Sequence, residues 1–190
     1  LETDVGSLVI TAAGAVTQSG TITAPTVTVQ GNLADPIALD TQPNAIGSFA
    51  ASNGTAGVGV KSTTDLDIAF IQGGPVNIVS GGTLTQSGFI NATNLSVTGS
   101  GSPIILTTQT NKVDGFQATN PGGSVTFKDA TGGLVLGKSN VGQMTIYAAG
   151  PVTQSGAIAA DNLTVAGTGF DPITLDTQDN DIGLFAASNH

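Results

Sequence analysis

Thr-Gln-Ser-Gly at residues 17–20 indicates an internal repeat, because the same four residues occur again at 85–88 and at 153–156. The two intervals are equal and define a 68-residue internal repeat, and the apolar residues that flank the motif recur with it. A fixed interval of this length is typical of repeat architectures. We therefore predict a single solenoid segment over residues 1–190, with internal repeats at about 5–73, 74–138 and 141–190, the third incomplete.

The apolar residues that recur with the motif form the predicted core. Stretches such as Thr26-Val27-Thr28-Val29 alternate polar and apolar residues, and this period of two indicates strands with one buried face. We expect the inward residues to stack on their copies from the other repeats. They are Ile10, Ile78 and Ile146; Ile22, Ile90 and Ile158; Val29, Val97 and Val165; and Phe49, Phe116 and Phe185.

The strand-like segments are short, and Gly, Asn, Asp, Pro and Ser punctuate them as turn residues do. No stretch of the chain has the pattern of an amphipathic helix. One coil of such strands cannot bury its apolar face alone, whereas a stack of coils can. The sequence therefore predicts an all-β fold, a parallel β-solenoid of about eight or nine coils.

Asn and Gln recur at fixed places in the repeats, and two interpretations of them stay open. Inside a solenoid corner, each amide can bond to its own copy in the next coil and build a ladder. The alternative is that these residues are solvated turn residues. The ladder candidates are Asn44, Asn111 and Asn180, and Gln18, Gln86 and Gln154.

Composition excludes several partners. Only 9% of the 190 residues are charged, arginine is absent, and the net charge is −9. Binding to phosphates requires clustered Lys and Arg, so we expect no nucleic-acid partner. No apolar run approaches the roughly 20 residues that span a bilayer, so we expect no membrane insertion. The absence of cysteine removes disulfides and thiolate metal sites.

The sequence contains no set of residues that would form a familiar catalytic site. The sole histidine, His190, is the last residue, so it offers no Ser-His-Asp triad. Asp35 and Asp40 recur as Asp171 and Asp176, and a repeated carboxylate pair favours a corner role over glycoside hydrolysis. We predict no enzymatic activity and no cofactor, and we keep a polysaccharide-cleaving β-helix as an alternative.

Two further interpretations concern ligands. Asp176, Asp179 and Asp181 cluster in sequence, and calcium prefers several carboxylate oxygens, so these residues are weak calcium candidates. The equivalent phenylalanines at 49, 116 and 185 fit a buried aromatic stack. The alternative for them is an exposed strip that stacks on carbohydrate, which an aromatic content of 4% disfavours.

Several stretches resemble a known family. Gly-Ala-Val-Thr-Gln-Ser-Gly at 14–20, Ile-Thr-Ala-Pro-Thr-Val-Thr-Val at 22–29 and Asn-Ala-Ile-Gly-Ser-Phe-Ala-Ala at 44–51 resemble the repeats of filamentous-haemagglutinin-like, two-partner-secreted bacterial adhesins. The resemblance implies a right-handed parallel β-helix, export through the outer membrane, and a role as a shaft or adhesive fibre.

From this resemblance we expect a secreted, extracellular or cell-surface protein. Repeat proteins normally cover their terminal coils with a polar cap, because an open coil exposes apolar core and unpaired strand edges. No helix or charged segment in the sequence suits that purpose. We therefore expect end-to-end self-association or continuation in a longer array. The alternative function is a solenoid face that binds a glycan or a surface protein.

Overall fold

The computed structural model describes residues 3–4, 6–168 and 170–189. These residues form strands and turns, with no helix among them, and hence no helix that could cross a membrane. The strands, in chain order, are β1 (Thr3–Asp4), β2 (Leu8–Thr11), β3 (Val16–Thr17), β4 (Ile22–Gln30), β5 (Ile37–Leu39), β6 (Ala45–Ser52), β7 (Val58–Ser62), β8 (Leu66–Gln72), β9 (Pro75–Ser80), β10 (Leu84–Gln86), β11 (Ile90–Thr98), β12 (Ile104–Asp129), β13 (Leu134–Leu136), β14 (Ser139–Ala148), β15 (Val152–Gln154), β16 (Ile158–Gly167) and β17 (Asp181–Asn189).

Each coil pairs in parallel with the coil before it, so the chain is a parallel β-solenoid of about 10 turns. The coils differ in length. Val27 lies opposite Phe49, which follows it by more residues than Leu84 follows its partner Leu66. The predicted all-β solenoid is confirmed. The number of turns is slightly higher than the eight or nine predicted, because short coils such as the one from Leu66 to Leu84 leave room for more of them.

Corners form inside strands where the inward–outward alternation changes phase. In β4, Ile22 and Ala24 are buried, Pro25 and Thr26 are both exposed, and burial then resumes at Val27. Two consecutive outward residues redirect the chain towards the next face while it stays extended. Strand β11 has the same burial pattern at its start, so the sequence encodes this corner in more than one repeat.

The 68-residue repeat is not a whole number of coils, so equivalent residues of successive repeats do not lie above one another. Leu8 lies opposite Val27, Val27 lies opposite Phe49, and Phe49 lies opposite Ile68, so three coils lead from Leu8 to Ile68. Val76 is the equivalent of Leu8 in the second repeat, but it lies opposite Val58 and Leu95 and so belongs to a different row of stacked residues. Each repeat therefore starts on a different face of the solenoid from the repeat before it.

This rotation corrects the expectation that core residues stack on their own copies. Ile10 lies opposite Val29, and Ile78 and Ile146 each lie opposite a valine of the following coil. Ile10 is half-buried, and 53% of the surface of Phe185 is exposed. The predicted core residues that are buried are Ile22, Ile78, Ile90, Ile146, Ile158, Val29, Val97, Val165, Phe49 and Phe116.

The phenylalanines likewise do not form one aromatic stack of equivalent residues. Phe116 packs against Phe127, with ring centroids 4.3 Å apart and an interplanar angle of 5°. Phe127 does not belong to the recurring phenylalanine set, so the sequence analysis did not include it in the predicted core. Phe49 is buried in an earlier coil, opposite Val27 on one side and Ile68 on the other. The core is therefore mixed aromatic and aliphatic.

Candidate functional site

The glutamine of the Thr-Gln-Ser-Gly motif pairs with an asparagine of the following coil. Nε2 of Gln18 donates to Oδ1 of Asn44 at 2.8 Å, and Nδ2 of Asn44 donates back to Oε1 of Gln18 at 3.1 Å. The same reciprocal pair joins Gln86 to Asn111 and Gln154 to Asn180. The structure thus brings the six predicted amides together as three pairs of unlike residues.

These pairs correct the expected ladder of identical amides. Because the repeat is not a whole number of coils, Asn44 and Asn111 occupy different corners and do not bond to each other. Both are fully buried, so the interpretation as solvated turn residues does not describe them. A buried amide without partners is unfavourable, and the glutamine of the neighbouring coil supplies the missing partner.

Each amide pair also satisfies backbone groups at its corner. In the first repeat, Oδ1 of Asn44 accepts the N–H of Ile22 at 2.9 Å, and Nδ2 donates to the carbonyl of Leu39 at 2.8 Å. Nε2 of Gln18 donates to the carbonyl of Gly20, the glycine of the motif, at 2.9 Å. The motif therefore closes a corner whose backbone would otherwise lack these hydrogen-bond partners.

A second class of asparagine was missed by sequence reasoning. Nδ2 of Asn53 donates to the carbonyls of Asp35 and Gly57, at 2.9 and 3.1 Å, and so ties two coils together. Asn120 does the same with the carbonyls of Ser102 and Ser124. A signal was available, since Ala-Ser-Asn follows the recurring phenylalanine at 51–53 and again at 187–189.

One buried carboxylate stands apart from these neutral corners. Asp129 is 1% exposed, and its Oδ1 accepts the N–H of Val113 at 3.0 Å. Its Oδ2 is buried and has no hydrogen-bond partner among the described residues. Burial, with a smaller contribution from the charge of Asp114, raises the pKa of Asp129 from 3.8 to about 6, and the Val113 amide partly offsets the rise.

The other carboxylates that the sequence singled out lie at the surface or in corners. Asp176, Asp179 and Asp181 are all exposed. Within residues 6–168 and 170–189, no three His, Cys, Asp or Glu side chains gather into a group that could hold a metal ion. Asp40 accepts a hydrogen bond from Nδ2 of Asn77 at 3.0 Å. His190 lies outside the described residues.

A groove of about 490 Å³ runs along one outer face, from the second repeat into the start of the third. Its lining contains two rows of residues that point outward from successive coils. The first row consists of Pro75, Asn94, Gly115 and Val135. The second row contains Asn77, Ser96 and Gln117. None of the residues that line this groove carries a charge.

Comparison with known proteins identifies the repeats and assigns them no activity. A model of a family described as repeats of unknown function (DUF5649) matches residues 1–53 and 122–187, which is more than half of the chain. No curated protein and no solved structure matches the chain.

Proposed function

The chain belongs to this DUF5649 family of repeats, and we propose that it is a non-catalytic shaft segment of a large secreted or cell-surface bacterial adhesin or extracellular filament. The observation that carries the proposal is the use of the recurring polar side chains. The glutamine and asparagine of each repeat bond to one another and to backbone groups of the corners. Residues engaged in this way hold the coils in register and are not free to act on a substrate.

A continuous core supports the same role. Buried aliphatic side chains follow one another from coil to coil, from Val16 near the first coils to Val165 near the last. Adjacent parallel strands lie about 4.8 Å apart, so about 10 turns make a rod roughly 48 Å long. A rod with parallel strand pairing and a continuous core along its length suits a spacer that holds another part of an assembly away from a surface.

We extend the proposal to end-to-end assembly, because the last described strand presents an open edge. Strand β17 pairs with β16, and Leu184 and Phe185 on β17 are 71% and 53% exposed. Their equivalents in the first repeat, Ser48 and Phe49, lie on β6, which pairs with β8 on its far side. A further coil on β17, from a second copy or from further repeats, would bury the equivalent surface.

The extracellular location and the right-handed coil are also part of this proposal. They rest on the resemblance of the stretches at 14–20, 22–29 and 44–51 to filamentous-haemagglutinin-like adhesins. Antibodies raised against residues 1–190 should label intact cells that produce the protein. Labelling that requires permeabilised cells would contradict a surface or secreted location.

Electron microscopy and light scattering over a range of concentrations test the assembly. Residues 1–190 should form thin, unbranched fibres with an axial repeat of about 4.8 Å, because a head-to-tail contact does not close on itself. Phe185→Asp should prevent fibre growth by placing a charge at the contact. The matched control Thr28→Asp alters an exposed position on an outer face and should leave the fibres unchanged. A monodisperse monomer at high concentration would contradict end-to-end assembly.

A further inference from the structure

The groove is lined at one position by a residue in which the second repeat departs from its neighbours. Gly115 lies at its floor, and the equivalent positions on β6 and β17 hold Ser48 and Leu184. A Cβ atom at position 115 would collide with Oδ1 of Asn94, so the glycine leaves room for the Asn94 carboxamide to lie across the next coil. Features that repeat in every unit serve the coil, whereas a glycine at this position occurs in the second repeat and not in the first or third.

The lining of the groove selects a class of ligand. Asn94 and Gln117 are exposed, and a carboxamide offers both two N–H donors and a carbonyl acceptor. Nε2 of Gln117 donates to Oγ of Ser96 at 3.2 Å, which leaves the second N–H and the carbonyl of Gln117 for a ligand. Ser96 adds a hydroxyl group, while Pro75 and Val135 add apolar surface. The chain has a net charge of −9, yet no lining residue is charged. This combination fits a ligand that carries many hydroxyl groups, has apolar C–H faces and has no charge.

The strand pairing disfavours an extended peptide in the same place. A peptide that binds to a sheet through its backbone needs an unpaired strand edge. Strand β11, at the centre of the groove, pairs with β9 on one side and with β12 on the other. Its backbone groups are therefore already engaged, and only side chains are available for recognition.

The groove also has the length of a chain-like ligand. Its lining includes residues from five successive coils, from Pro75 through Asn94, Gly115 and Val135 to Ser155. At about 4.8 Å per coil, four steps span roughly 19 Å along the solenoid axis. We propose that this groove binds a neutral, linear oligosaccharide, with the Asn94 and Gln117 carboxamides bonded to its hydroxyl groups. This inference goes beyond the shaft role and does not depend on it.

Titration calorimetry with four neutral hexasaccharides, of β-1,4-glucose, α-1,4-glucose, β-1,4-xylose and β-1,4-mannose, tests this proposal. At least one should bind saturably at ligand concentrations up to about 5 mM. The double variant Asn94→Ala/Gln117→Ala should bind that sugar about tenfold more weakly, because two carboxamide contacts are lost. Gly115→Ser, which restores the first-repeat residue, should weaken binding by refilling the floor.

The matched control is Thr26→Ala, which removes an outward side chain at the position in the first repeat equivalent to Asn94. It should bind the sugar as the unmodified chain does, and all variants should retain the same circular dichroism. The proposal is overturned if none of the four sugars binds, or if the double variant binds unchanged. It is equally overturned if hexagalacturonate, or an uncharged peptide of serine and asparagine, binds more tightly than every neutral sugar.

Discussion

The first and second repeats build the same corner with different chemistry. In the first repeat, Oγ of Ser62 accepts the N–H of Ile46 at 3.0 Å and donates to the carbonyl of Ile46 at 2.9 Å. In the second repeat, Asp129 takes the place of Ser62 and accepts the N–H of Val113, with its other oxygen unpartnered among the described residues. A hydroxyl is both donor and acceptor, whereas an ionised carboxylate is an acceptor only.

This difference makes the second corner sensitive to pH. The pKa of Asp129 is raised to about 6 in the folded chain, so the folded state holds this proton more tightly than the unfolded state does. Near pH 4 and below, the carboxyl carries its proton in the folded chain. As pH rises from about 4 to above 6, the free energy of unfolding falls, and this group accounts for about 2 to 3 kcal/mol of the fall. The Ser62 corner has no such dependence.

The largest effect is expected when a carboxylate is placed in the core with no backbone donor. Ile78 is completely buried between coils. Ile78→Asp should lower the free energy of unfolding by at least about 4 kcal/mol at pH 7, because it buries a charge and leaves a cavity. Urea unfolding followed by circular dichroism measures the loss.

Thr28→Asp serves as the outward control for that substitution, because Thr28 is exposed on β4. It should change the unfolding free energy by less than about 1 kcal/mol. Equal losses from the two variants would contradict the structure, in which Ile78 faces inward and Thr28 faces outward. Asp129 also buries a carboxyl, but it accepts the N–H of Val113, whereas an aspartate at position 78 has no backbone donor. The loss caused by Ile78→Asp, less the loss caused by Thr28→Asp, therefore measures the cost of a buried carboxylate without such a donor.

A somewhat smaller effect is expected from breaking the amide pair that both repeats share. Asn111→Ala leaves Gln86, the N–H of Ile90 and the carbonyl of Leu106 without their partner. Buried groups left in this way should together cost about 3 kcal/mol. Asn94→Ala, at an exposed position, is the matched control and should cost less than about 0.5 kcal/mol. A loss at Asn111 no greater than that at Asn94 would show that the pair does not hold the corner.

The smallest effect is expected when the second corner is converted into the first. Asp129→Ser should raise the free energy of unfolding at pH 8 by about 2 kcal/mol and leave it nearly unchanged at pH 4. The measurement is urea unfolding at several pH values between 4 and 8. Asp161→Asn removes an exposed carboxyl and is the control, with little change expected at either pH. A gain that is equal at pH 4 and pH 8 would contradict the burial of a charged carboxylate.

The sequence predicted the strands well because their signal is local. Alternation of apolar and polar residues, as at 26–29, determines which side chains face inward within one strand, and the residue types alone carry that pattern. The partner of each coil was predicted less well. Register across coils depends on how many residues each corner takes, and corners of different length hold similar turn residues. The amide pairs were missed for this reason, although each member had been singled out.

Asp129 shows the same limit at a single position. In sequence it follows Phe127 and Lys128 and looks like a turn residue, and Asp114 lies well before it in the chain. Only the folded coil buries its carboxyl and brings Asp114 close enough to raise its pKa. The groove at Gly115 is similar, because its walls come from five coils that are distant in sequence.

Residue order was enough to establish an all-β solenoid built from 68-residue repeats, because period-two burial and a recurring motif are properties of residue order. Which residues meet became clear only in the folded chain. Three coils lead from Leu8 to Ile68 and fall short of a full repeat, so each repeat starts on a new face and glutamine meets asparagine instead of its own copy. The physical reason is that the number of residues in each corner sets the length of each coil, and the coil lengths decide which residues of successive coils lie opposite one another.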